Sequence, residues 1–200
     1  MKRFFLYALL LVLIISSRSF AFIGLRIGAN ANITQPSATI AFDQLTNESF
    51  SPTGFGVTGF AVADIIFLKV TGDIGYINFG EQSYEWNAPD NLPTNMQRVS
   101  ANAKITAIPI LVGLRWEVGL PIGPKFHFGF QTGVHNFTYS YEGTAVETTF
   151  VNETETSTKF SLAPIIGLRW TSLEASLLYM IVEDFNYVGL RVGYTFGLGI

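Results

Sequence analysis

Read two residues at a time, residues 187–198 place Val188, Leu190, Val192, Tyr194, Phe196 and Leu198 on one face. Gly189, Arg191, Gly193, Thr195 and Gly197 fall on the other. A period of two predicts a strand with one apolar and one polar face. Gly189, Gly193, Gly197 and Gly199 also argue against a helix, where each would cost about 1 kcal/mol relative to alanine. The triplet Gly-Leu-Arg at 189–191 recurs at 24–26, 113–115 and 167–169. Each copy has leucine on the apolar parity and arginine on the glycine parity.

The same period organises the rest of the chain into eight predicted strands. The first, 22–34, alternates most cleanly: Ile23, Leu25, Ile27, Ala29, Ala31 and Ile33 oppose Gly24, Arg26, Gly28, Asn30, Asn32 and Thr34. The second, 53–67, alternates poorly, because Phe60 and Val62 share the parity of Asp64. The third, 68–79, opposes Val70, Ile74 and Tyr76 to Lys69, Thr71, Asp73 and Gly75. The fourth, 101–116, contains IPILVGLRW, and the sixth, 159–170, contains the near copy APIIGLRW. In the fifth, 125–141, the apolar set moves from Phe126, Phe128 and Phe130 to Phe137, Tyr139 and Tyr141. That shift reads either as a bulge near His135 or as a strand leaving an apolar slab. The seventh covers 172–182 and the eighth 187–196.

Polar loops at 35–52, 80–100 and 142–158, and a shorter link at 183–186, alternate with tight connections after the second, fourth and sixth strands. One of the tight connections is a turn at 117–124 carrying Pro121, Gly123 and Pro124. Alternating long and short connections, with both termini on the short side, predict an antiparallel up-and-down barrel. Short turns at one end and long loops at the other are the asymmetry of transmembrane barrels.

Composition sharpens this. Lys2 and Arg3 precede an apolar run at 4–15, and Ser19 and Ala21 occupy the small-residue positions of a cleavage site. The run is shorter than the ~20 residues a spanning helix needs. We therefore expect a signal peptide at 1–21 and a barrel domain at 22–200. Without residues 1–21 the chain keeps 9 basic against 15 acidic residues, a charge of about −6, the wrong sign for nucleic acid. The absence of cysteine excludes disulfides and thiolate metal sites. Mean hydropathy is +0.34 with no second long apolar run, so the hydrophobicity is spread over every second residue.

Periodicity does not say which face is outside. Soluble barrels also alternate, with the apolar set within. Here Arg26, Asp64, Lys69, Asp73, Arg115, Arg169, Glu174 and Arg191 share one parity with many glycines. An eight-stranded interior is just wide enough for side chains to fill. Small residues and mixed charges can form a salt-bridged plug there, whereas reversal would leave a glycine surface with unpaired arginines. The topology brings Arg26, Asp64, Lys69, Asp73, Arg115, Arg169 and Glu174 to the end bearing the short turns. Trp116, Phe126 and Trp170 lie at that end too, with Phe67 and Phe196 nearby, where a membrane interface favours aromatic rings.

These features resemble the small eight-stranded outer-membrane β-barrel family, the OmpX/OmpA-like and OmpW-like group. The resemblance rests on the signal peptide, the LRxG strands at 25–28 and 190–193, IPIL at 108–111, DIGYxNFG at 73–80 and VGYTF at 192–196. It covers the whole mature chain. It implies an integral, monomeric protein of the bacterial outer membrane, in contact with lipid and lipopolysaccharide and inserted by the barrel-assembly machinery. Such proteins commonly end on an aromatic residue that this machinery reads; this chain continues from Gly197 to Ile200.

Some barrels of this type modify lipid A. The chain's two histidines, His127 and His135, both have the inward parity of the fifth strand. A Ser-His-acid set needs a serine within reach of a histidine. Ser140 and Glu142 are near in sequence, but the His-x-Ser spacing is absent, since Asn136 and Phe137 follow His135. No catalytic residue, metal site or cofactor is expected. The predicted loops are acidic, with Asp43, Glu48, Glu81, Glu85, Asp90, Glu142, Glu147, Glu153, Glu155, Glu183 and Asp184 against Arg98 and Lys159. The expectation is a non-enzymatic barrel with a plugged lumen and acidic loops for surface recognition or adhesion. A conduit for small hydrophobic compounds is the alternative.

Overall fold

The computed structural model describes residues 23–42, 46–65, 68–87, 98–119, 123–145 and 148–198. The expected signal peptide at 1–21, and Phe67, Asp43, Asp90 and Glu147, lie outside them. The chain forms β1 (Ile23–Phe42), β2 (Thr46–Phe50), β3 (Gly54–Ile65), β4 (Leu68–Asn87), β5 (Arg98–Gly119), β6 (Lys125–Ala145), β7 (Thr148–Trp170), β8 (Leu173–Val182) and β9 (Phe185–Leu198). All pairings are antiparallel. Sequential neighbours from β3 to β9 pair, β1 pairs with β3, and β1 also pairs with β9 from Leu25↔Leu198 to Ala38↔Phe185. That last ladder closes the sheet into a barrel of eight staves. β2 lies outside the ring, folded back on the upper end of β1 from Ala38↔Phe50 to Phe42↔Thr46.

The outward side chains define a slab. On β1 they are apolar from Leu25 to Ile33, on β3 from Phe55 to Ile65, and on β4 from Leu68 to Tyr76. On β5 the stretch is 108–118, on β6 126–134 with Thr132 its one polar member, on β7 160–170, on β8 173–181 and on β9 188–196. Each is nine to eleven residues long, the length of a strand that crosses a bilayer. Among the described residues, every exposed large hydrophobic side chain lies in one of these stretches and points outward. A soluble barrel would bury this set, so the parity argument holds in three dimensions. Above the slab the outward positions turn polar: Asn78, Lys104, Asn136, Thr158 and Glu183.

Several boundaries differ from those read in the sequence. The predicted loop at 35–52 contains the end of β1 and all of β2. Most of the predicted loop at 80–100 is strand, because β4 runs to Asn87 and β5 starts at Arg98. The predicted loop at 142–158 is occupied by the paired ends of β6 and β7. The outward positions of these segments are polar, and their few buried apolar side chains, such as Ala38, Phe50 and Tyr84, point inward, so the lipid-facing signal is lost although their backbones pair outside the slab. The parity shift near His135 is not a bulge: β5 and β6 pair without interruption from Val99↔Ala145 to Gly119↔Lys125. β6 leaves the slab there, the second of the two readings. The register breaks lie at Asn78/Glu81 and Gly143/Thr144.

Inward glycines set how closely the staves approach. A Cβ on Gly129 would run into the Leu114 carbonyl oxygen and Arg115 Cα, whereas one on outward Gly72 would meet nothing within 4 Å. Gly129→Val should therefore destabilise the barrel by about 1–3 kcal/mol, the usual cost of overpacking, and Gly72→Val should not. Urea titration of the refolded protein in detergent, read by heat-modifiable gel mobility, compares the two.

Candidate functional site

The inward face has two storeys. The lower one, at the end of the tight connections, is ionic. Glu117 on β5 is its hub. Its Oε1 accepts from Arg26 Nη2 at 2.9 Å and from Arg115 Nη2 at 2.9 Å, and its Oε2 from Arg169 Nη2 at 2.7 Å. Lys69 Nζ lies 3.7 Å from the same Oε2. Asp64 pairs with Arg26 at 3.1 Å and Lys69 at 2.7 Å, and Glu174 with Arg115 at 2.6 Å. One level higher, Asp73 accepts from Arg191 at 3.0 Å and from Gln131 Nε2, while Arg191 also donates to Gln131 Oε1 at 3.1 Å. Glu117, Arg115, Arg26, Asp73, Glu174 and Arg191 are almost wholly withdrawn from water.

Register produces this convergence. Asp64 opposes Lys69, Lys69 opposes Arg115, and Arg169 opposes Glu174 across antiparallel ladders. All eight residues assigned to the lumen from the sequence lie here: Arg26, Asp64, Lys69, Arg115, Arg169 and Glu174 join one ion-pair network, and Asp73 with Arg191 forms the next level. The sequence reading missed Glu117, which it placed in the turn at 117–124. β5 instead runs on to Gly119, which keeps Glu117 on the inward parity two residues beyond Arg115. Five cations thus meet four carboxylates. Between the two levels lies a cavity of about 20 Å³ lined by Asn30, Phe60, Thr71, Gln131 and Ser176 among others. Such a volume holds about one water molecule.

The upper storey is apolar and aromatic. Phe79, Phe137, Phe185 and Tyr187 pack as a cluster, with Phe79 edge-on to Phe185 at 4.8 Å and to Tyr187 at 5.1 Å. Phe50 closes it from β2, 6.2 Å from Phe185 and fully buried. Gln82 Nε2 and Tyr84 OH donate to the Ser49 carbonyl at 2.9 and 3.3 Å, which pins that flap. The alternation had signalled the inward parity of His135, but not this cluster.

His127 and His135 are both fully buried. His127 Nε2 lies 3.7 Å from Glu174. His135 Nδ1 is 3.0 Å from Ser161 Oγ and its Nε2 2.9 Å from the Tyr187 hydroxyl. Ser161, not Ser140, is thus the serine within reach, brought there across the β6–β7 ladder. A nucleophile needs a carboxylate behind the imidazole and an approach for substrate. Here a phenol holds the far nitrogen, and Ser161 is fully buried. Among the described residues, no group of three metal-ligating side chains comes together.

The four residues assigned to the interface all point outward near the lower edge of the slab. Phe126, Trp170 and Phe196 are about 60% exposed, and Trp116 stacks on Phe128 at 5.8 Å.

A scan against protein-family models and a search of curated proteins find no match to this sequence. Solved structures do share its architecture. Neisserial surface protein A is similar over 86% of this chain and 95% of its own, with a TM-score of 0.52 and 14% identity. Ail, the attachment invasion locus protein of Yersinia pestis, aligns over 87% of this chain and 99% of its own, with a TM-score of 0.47 and 13% identity. The likeness to the Neisserial protein is one of fold: an all-β, antiparallel, closed barrel of the small outer-membrane type.

Removing one partner from a buried ion pair costs about 3–5 kcal/mol, because the remaining charge is stranded. Glu117→Gln, which leaves Arg26, Arg115 and Arg169 without their shared acceptor, should lower stability by about that amount. Urea unfolding followed by tryptophan fluorescence in lipid vesicles measures it.

Proposed function

We propose that this chain is a non-enzymatic integral protein of the outer membrane whose barrel is a filled scaffold and whose extracellular end performs recognition or adhesion. The observation that carries this reading is the filling of the lumen. Ion pairs occupy the lower storey and interlocked rings the upper, and the cavity between the two ionic levels is only about 20 Å³. An eight-stranded interior leaves little beyond its own side chains, so a solute path would require the network or the rings to separate. That weighs against the alternative, a conduit for small hydrophobic compounds.

The extracellular end supports the rest. β4 to β7 continue about ten residues past the slab. Their exposed charges, with those of the β8–β9 turn, are mostly acidic: Glu81, Glu85, Glu142, Glu153, Glu155, Glu183 and Asp184 against Lys104, with Lys159 half-buried. Lipid and lipopolysaccharide surround the slab in this reading, and a surface ligand meets the acidic end. A lipid A-modifying enzyme is the least supported alternative; unchanged lipid A mass spectra on overexpression are expected.

Two measurements test the proposal. Purified protein in planar bilayers should show no stepwise conductance, and regular steps would favour the conduit. The chain has no cysteine, so single cysteines report sidedness cleanly. On intact cells Glu142→Cys should react with a membrane-impermeant maleimide, whereas Pro124→Cys should react only after permeabilisation; the reverse would invert the orientation.

A further inference from the structure

Along β6 the inward positions 135, 137, 139 and 141 form a column of rings. His135 stacks on Phe137 at 5.6 Å, Phe137 on Tyr139 at 5.7 Å, and Tyr139 on Tyr141 at 6.4 Å with only 5° between their planes. The column starts fully buried and climbs past Val134, where the apolar slab ends on this strand, so Tyr139 and Tyr141 stand above the membrane and are half-buried. On the β5 side they face Ile105 and Ala103, both fully buried. On the β7 side Tyr139 opposes Glu155 and Tyr141 opposes Glu153, and both glutamates are exposed. Directly opposed pairs hold their Cβ atoms about 5 Å apart. Above Ser161, where the β7–β8 ladder ends at Val182, β7 has no strand on its other side among the described residues, so the carboxylates border open solvent.

The field at these rings is negative. The Tyr139 hydroxyl is pushed up to about 12, by burial first, then by Tyr141, Glu155 and Asp184. Burial, Glu155 and Glu153 raise that of Tyr141. Lys159, on the same strand as the two glutamates, is engaged elsewhere: its Nζ donates to the Glu183 carbonyl at 3.1 Å and lies 3.7 Å from Asp184.

Aromatic surface bordered by carboxylates matches one chemistry best. A lysine or arginine side chain has an apolar stem that lies along rings and a cationic head attracted both to the ring quadrupole and to carboxylates. We propose that Tyr139, Tyr141, Glu153 and Glu155 form a binding surface for the basic side chains of a lysine- or arginine-rich polypeptide segment. This rests on the reading of the extracellular end as a recognition face, and it names the class of partner. Opposite charge at an exposed rim acts chiefly on association rate and selectivity, so the surface favours rapid, salt-sensitive capture.

The test uses the full protein in lipid nanodiscs and a fluorescein-labelled oligolysine peptide, with affinity read by fluorescence anisotropy at low and at physiological ionic strength. Wild type should bind, less tightly as salt rises. Tyr139→Leu with Tyr141→Leu should weaken binding by about two- to fivefold for each ring lost. Tyr139→Phe with Tyr141→Phe, which keeps the ring faces, should bind nearly as wild type. Glu153→Gln with Glu155→Gln should weaken binding and flatten its salt dependence. Heat-modifiable gel mobility verifies that each variant is folded. If the leucine and glutamine pairs bind as wild type while Glu81→Gln with Glu85→Gln on β4 abolishes binding, the assignment of this site falls and recognition by the acidic end stands. Absence of binding by wild type at low ionic strength overturns both the basic partner and the electrostatic basis of recognition. Tyrosine-dependent binding of a neutral oligosaccharide, with none of oligolysine, overturns the proposal in favour of a sugar.

Discussion

The ladder between β1 and β9 is the constraint on which the rest depends. Hydrocarbon offers no hydrogen-bond partners, and each unpaired backbone group there costs several kcal/mol. An open sheet of these strands could not sit in a bilayer. Pairing of fourteen residues of β1 with fourteen of β9 removes both edges. Closure also fixes what lies within. Once eight staves form a ring, every second side chain must share one narrow interior, and the inward glycines determine how tightly the larger groups can be drawn together.

Within that interior, charge and hydrophobicity are separated by height. Arginines and carboxylates buried together are tolerable when each finds partners, and Glu117 supplies three arginines at once. A single carboxylate linking β1, β5 and β7 ties distant staves across the lumen, so the lower storey acts as an internal brace. The upper storey uses rings from β2, β4, β6 and β9 for the same purpose without charge. Its position follows from the environment: above the slab the outward surface meets water and becomes polar, and the hydrophobic core moves inside, as in a soluble domain. The parity reversal along β6 is the trace of that exchange of solvents.

The transmembrane strands could be read from residue order because a lipid-facing surface demands a period of two, and the Gly-Leu-Arg copies repeat it. The eight inward charges were legible for the same reason. Glu117 was not, since Pro121 and Pro124 drew the predicted turn too early. The far ends of β4 to β7 were illegible because their outward faces are polar and the apolar side chains that point inward there, such as Tyr84, are too sparse to set a period. Ser161, His135 and Tyr187 could not be associated, because nothing local links positions on three separate strands.

Sequence alone determined that strands of this chain must present grease on one side and charge on the other, and that their ends must carry acidic connections. Which arginine meets which carboxylate, where the interior turns from ionic to aromatic, and which tyrosines stand beside which glutamates were decided only by closure and register. Alternation is a local property of neighbouring residues in one strand. Pairing depends on the stagger between strands, which the whole ring sets at once.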